Sequence, residues 1–152
     1  MKQVDDIIYD AISEDSDLME AIGGRVVSTC FEIPPEQEDN TPIPNIVIID
    51  EGFQNNESTK DTLWEGTEDQ VQVTVSVAAD SPGDVKDLVR KVRSVVENYI
   101  ATLYAQGNDT PQLQSLTSDG ISYDPWKPCY FQNLYYTCII NCDLDDEQEG
   151  NQ

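Results

Sequence analysis

Val71, Val73, Val75, Val77 and Ala79 alternate with Gln70, Gln72, Thr74 and Ser76. A strict period of two sends one set to each face of a strand. The segment 70–79 is therefore expected to be a strand with an apolar face on the core. Its polar face meets water or a partner. Directly after it, Ser81-Pro82-Gly83-Asp84 opens a segment in which Val85, Leu88, Val89, Val92, Val95, Val96, Tyr99, Ile100 and Leu103 recur at helical spacing. The valines weaken its intrinsic helix propensity, so packing on a sheet must hold the helix. The valine face of the strand is expected to meet Val85, Leu88, Val92 and Val96.

Val4, Ile7, Ile8, Ala11 and Ile12 predict an N-terminal helix, with Asp5 and Asp6 in the dipole-favoured first turn. Ser13 to Asp17 breaks the pattern. A second short helix, Asp17 to Ile22, is expected with Ser16 as its cap, Met19 and Ile22 inward, and Gly23-Gly24 as its stop. Arg25 to Ile33 reads as a strand ended by Pro34-Pro35. An acidic loop, Glu36 to Pro44, leads to a second strand, Asn45 to Asp50, apolar on both faces. Asn55 to Asp69 and Ala105 to Ser118 read as loops. Tyr130 to Leu144 reads as a long last strand. Leu134, Tyr136, Cys138, Ile140 and Cys142 point to its core face, while Phe131, Tyr135, Thr137 and Ile139 make the other face too apolar for plain solvent. The expected class is α+β: three to four mainly antiparallel strands, the long helix on one face, and a short N-terminal helical segment. One domain spans residues 1–143, followed by an acidic, disordered tail at 144–152.

Charge sharpens this picture. Among 152 residues, 30 acids face 8 bases, a net charge of −22. Such a chain repels nucleic acid and anionic membranes unless a local basic patch intervenes. Four of the bases, Lys86, Arg90, Lys91 and Arg93, fall in the long helix, and Lys86, Arg90 and Arg93 share one face. A solvated stripe is the plain reading. Contact with an acidic surface of a neighbouring copy is the sharper one. The N-terminus lacks the apolar stretch of a signal peptide, and no apolar run reaches bilayer length, so a soluble cytosolic product with reduced thiols is expected.

Candidate chemistry is sparse. Histidine is absent, which removes the commonest general base and metal ligand. Cys138 and Cys142 would share a strand face roughly 13 Å apart at ~3.3 Å per residue, too far for one metal. With Cys30 and Cys129 they read as core cysteines. Asp84-Val85-Lys86 matches a fragment of metal-dependent nucleases, but it stands at a helix start, where Asp84 suits the dipole. The acidic residues of 143–150 lack the glycine position of a calcium loop. No phosphate loop, dinucleotide fingerprint or nucleophile elbow occurs. Neither a cofactor nor a catalytic residue is expected.

The ordered features resemble the small tail-completion or tail-terminator proteins of tailed bacteriophages. The likeness covers about residues 4–143. It is carried by Gly23-Gly24-Arg25-Val26-Val27, Pro44-Asn45-Ile46-Val47-Ile48, and the strand Gln70 to Val77 running into the amphipathic helix. This chain differs in a longer insertion between Leu103 and Tyr123 and a longer acidic tail. The resemblance implies a non-enzymatic virion protein, assembled in the bacterial cytoplasm. It would form a ring of six or twelve copies at the neck or head-proximal tail end. Its neighbours would be portal-side connector proteins and tail-side proteins, and DNA would pass through without specific binding. An acidic lumen would let phosphate slide without sticking.

A cyclic ring needs two different patches per copy. The candidates are the basic stripe Lys86, Arg90 and Arg93; the acidic loop residues Glu36, Glu38 and Asp39; the polar strand face Gln70, Gln72, Thr74 and Ser76; and Phe131 with Tyr135. A ring joined by the stripe and the loop is expected to weaken with salt. The competing class is an acidic DNA mimic that inhibits a nucleic-acid-binding protein as a monomer or dimer.

Overall fold

A computed structural model of the chain describes residues 3–28, 43–55, 67–106 and 111–142. Helices α1 (Val4–Glu14) and α2 (Ser16–Ala21) lead into strands β1 (Val26–Ser28), β2 (Asn45–Asn55) and β3 (Thr67–Ala79). Helix α3 (Pro82–Ala105) follows, then β4 (Gln112–Ser118), β5 (Ser122–Asp124) and β6 (Cys129–Cys142). The sheet order is β1-β2-β3-β6-β4, with β5 also paired to β6. Among the described strands, β1 and β2 run parallel and the other pairings are antiparallel.

The class is the expected α+β, with a mainly antiparallel sheet and the long helix on one face. The sheet has six strands rather than three to four. The extra width comes from β4 and β5, which share the outer edge of β6 along Leu134–Ile139 and Cys129–Phe131. Residues 112–118 were expected to be loop. They form a strand because the edge of β6 supplies the hydrogen bonds that their polar sequence does not advertise. At the other end of the chain order, β2 runs five residues past Asp50 and β3 begins at Thr67, so each intrudes on the expected loop.

Period two holds along the centre of the sheet and is interrupted at Asp50/Phe53 in β2 and Leu113/Ser115 in β4. Ile46 and Ile48 pair with Val77 and Val75, and Val75 and Val73 pair with Leu134 and Tyr136. All of these side chains, with Cys138, are at most 1% exposed. They meet Val85, Leu88, Val92, Val96 and Ile100 of α3 in one cluster that also takes in Val4, Ile7, Ile8, Ala11 and Ile12 of α1. Burying each aliphatic side chain stabilises by roughly 1.5–3 kcal/mol. That sum, rather than propensity, holds a valine-rich helix of 24 residues.

Local signals set the helix ends. Ser81 caps α3: the Asp84 amide donates to Ser81 Oγ at 3.2 Å, and Pro82 occupies the first turn. The α2 cap is Asp15, not Ser16, because the Leu18 amide donates to Asp15 Oδ1 at 2.9 Å. Leu18 and Ile22 are buried under α2, and Met19 is only partly so. At its end, the Gly24 amide donates to Met19 O at 2.8 Å with φ values of 62° and 74° at Gly23 and Gly24. Glycine reaches that left-handed region without a Cβ penalty.

Candidate interaction surfaces

The described helices engage one side of the sheet, so the other side carries the expected second face. Gln70, Gln72, Thr74, Ser76, Phe131 and Tyr135 come together there: Thr74 pairs with Tyr135, Ser76 with Asn133, and Ala78 with Phe131. Val47 and Ile49 extend the face onto β2. Thr74 is buried, Gln72 exposed, and Val47, Ile49, Phe131, Tyr135 and Ile139 half-buried. The polar groups are tied down. Thr74 Oγ1 donates to Glu51 Oε1 at 3.0 Å, and Gln70 Nε2 donates to Gln114 Oε1 at 3.2 Å. The Tyr135 hydroxyl donates to the Asp119 carboxylate, and this bond raises the phenol pKa above its usual value.

Lys86, Arg90 and Arg93 lie elsewhere, on the helical layer. With Val89, Ile121 and Gln132 they line an open cleft of about 640 Å³ between α3 and the β4–β5 connection. Arg93 Nε donates to Glu97 Oε1 at 3.1 Å, one turn on. Exposed i,i+4 pairs of this kind contribute about 0.3–0.5 kcal/mol. The sheet-face set and the basic set therefore belong to different sides of the molecule. Glu36, Glu38 and Asp39 lie outside the described residues, as do Cys30 and the acidic tail.

On the far flank of α3, a groove of about 460 Å³ opens between α1 and the second half of α3. Its floor includes Ala11, Val95, Tyr99 and Leu103, and Glu14 and Asp15 stand at its rim. Sequence reasoning passed over this groove, because it arises only where two helices from distant segments meet.

Sequence reasoning also missed the exposed aromatics. Trp126 is 93% exposed at the β5–β6 turn, and Phe53 is 72% exposed on β2. Tyr123 packs against Tyr130 beside the same turn, with ring centroids 4.9 Å apart and planes tilted by 52°. The available signal was Asp124-Pro125-Trp126-Lys127-Pro128: two prolines and an aspartate mark a turn, and turn tips expose what they carry.

Four buried ionisable side chains among the described residues belong to the interior. Asp5 sits against Asp6 and Asp50. Burial first, and then these two carboxylates, raise its pKa. The Tyr136 hydroxyl has no hydrogen-bond partner among the described residues, and burial drives its pKa upward. Cys129 and Cys138 are free and buried. Desolvation pushes the Cys138 thiol up to about 11. Among the described residues, no group of three or more His, Cys, Asp or Glu is placed to hold a metal ion. No described helix is long and apolar enough to cross a membrane.

The molecule is thus an α+β protein whose distinguishing features among the described residues are surfaces: a sheet face without a described helix on it, a basic cleft, an acid-rimmed groove and an aromatic turn. Neither a family model nor a curated protein matches the chain. Among solved structures it is similar to a chain in the virion of a native gene transfer agent particle. The TM-score is 0.51 at 14% identity, over 90% of this chain and 93% of that one. At that identity the likeness is one of fold, and it extends over nearly the whole of both chains.

Proposed function

We propose that this protein is a non-enzymatic structural component of a phage-like virion. It forms a ring at the neck or the head-proximal end of the tail and joins the tail to the portal-side connector. The observation that carries this reading is the fold it shares, end to end, with a chain of a virion particle. The resemblance of its ordered motifs to tail-terminator proteins supports the finer assignment. A half-apolar sheet face, with no described helix on it, gives each copy a broad surface to bury. The net charge of −22 suits a lumen through which DNA slides without binding.

The test is the mass of the purified protein by light scattering at low and high salt, with negative-stain imaging of any assembly. A discrete ring of six or twelve copies is the expected result. A strict monomer at high protein concentration that competes with DNA for a basic enzyme would instead identify an acidic DNA mimic.

A further inference from the structure

Trp126 is the most exposed large apolar side chain among the described residues, and its turn is built to hold it outward. The Trp126 amide donates to Asp124 Oδ1 at 2.9 Å, and Pro125 and Pro128 restrict the backbone on either side. A preorganised tip loses little conformational freedom on docking. Tryptophan is also among the side chains that most often anchor protein interfaces. Lys127, the next residue, is exposed as well.

The groove between α1 and α3 has the complementary chemistry. Ala11, Val95, Tyr99 and Leu103 supply its apolar lining beside polar residues, and this open groove has a volume of about 460 Å³, within the ~300–1,000 Å³ range of ligand-binding clefts. Two helices end at it, since the C-caps Asp15 of α1 and Gln106 of α3 both line it. Neither helix has a basic residue in its last turn. No lysine or arginine occurs in 3–22 or 94–106. The negative pole of α3 and the carboxylate of Glu14 thus gather at one rim without a cation from these segments, beside Asp15, whose carboxylate also caps the positive end of α2. An indole followed by an ammonium group matches that floor and that rim.

The two features cannot meet within one copy. The turn adjoins the end of β3, because Tyr130 pairs with Ala79, and so it lies at the start of α3. The groove lies around Tyr99, roughly 25 Å further along the helix at 1.5 Å per residue. A projection at one end and a matching groove at the other make a heterologous, head-to-tail contact, the kind that closes into rings. We infer that the Trp126–Lys127 turn of one copy seats in the α1–α3 groove of a second copy, with the indole on Ala11, Val95, Tyr99 and Leu103 and the Lys127 ammonium against Glu14 and Asp15. This contact rests on the ring reading above and names its interface. It also bears on how a chain of net charge −22 associates with itself: the joint brings one of its few cations onto α1, whose eleven residues hold four acids and no base, while screening weakens repulsion beyond ~8 Å.

The experiment uses two full-length variants with exposed substitutions. Trp126→Ala removes the projection and leaves the groove. Asn98→Arg with Thr102→Arg fills the groove rim with cations and leaves the projection. Circular dichroism and melting verify that each folds. By light scattering, each variant alone is expected to self-associate at least about tenfold more weakly than the wild type. An equimolar mixture is expected to form a one-to-one dimer, since one intact projection and one intact groove remain. Lys127→Glu is expected to weaken assembly most at low salt. Wild type and variants assembling alike overturns the contact and leaves the ring reading in place. A mixture that stays monomeric also overturns it, because the two patches then do not pair. A wild type that never self-associates overturns both.

Discussion

The hydroxyl of Tyr135 on β6 donates to the carboxylate of Asp119, the residue that follows β4. Neighbouring bonds reinforce the same junction: Ser118 Oγ donates to Asn133 O at 2.9 Å, and Gln132 Nε2 donates to Ser118 Oγ at 2.8 Å. This cluster fixes the β4–β5 connection, and with it the wall of the basic cleft. Because the bond to Asp119 is the first cause of the raised Tyr135 pKa, Asp119→Asn is expected to bring that phenol back toward about 10. Titration of the tyrosine ring signals by NMR checks it, and an unchanged Tyr135 midpoint would contradict the assignment.

Asp5 gives a stability prediction with a definite sign. Its folded pKa is raised, so the folded state holds the proton more tightly than the unfolded chain does. Stability from this group is greatest below the ordinary aspartate value of about 3.9 and declines as pH rises through the raised one. At neutral pH the carboxylate is a burden. Asp5→Asn is expected to raise the unfolding midpoint at pH 7, with the gain shrinking as pH falls through that window. Urea titrations at several pH values measure it.

Tyr136 carries an orphaned hydroxyl in a fully buried position. A buried donor without a partner costs about 1–3 kcal/mol. Tyr136→Phe keeps the ring in contact with α3 and removes the group that is unsatisfied. The expected result is equal or greater stability in chemical denaturation. A loss above about 1 kcal/mol would mean that the hydroxyl finds a partner in solution.

Ile48 and Ile49 are neighbours on β2 but face opposite sides. Ile48 is fully buried under the helices, whereas Ile49 is half-buried on the uncovered face. Ile48→Ala is expected to cost about 2–5 kcal/mol of folding stability. Ile49→Ala is expected to cost roughly 1 kcal/mol or less, since most of its cavity opens to solvent. If the sheet face is buried in an assembly, the second substitution shows its main effect in light scattering rather than in unfolding.

The sequence by itself determined the elements whose signal is local. Alternation from Gln70 to Ala79 and the i, i+3, i+4 valines of α3 each specify a burial face from a single stretch of chain. Ser81 and the Gly23-Gly24 pair specify helix ends within a few residues, because capping is a short-range hydrogen bond. It also placed Gln70, Gln72, Thr74, Ser76, Phe131 and Tyr135 on outward faces, since parity along each strand is fixed by the pleat.

What it left undetermined depended on partners distant in the chain. Gln112–Ser118 has no strand signature of its own and becomes a strand by borrowing the edge of β6. The register that sets Thr74 beside Tyr135, and the meeting of α1 with the end of α3, follow from packing between segments distant in the chain. The acid-rimmed groove and the opposite placement of Trp126 are products of that packing. Periodicity reports which side of an element is apolar; it carries no information about which other element will cover it.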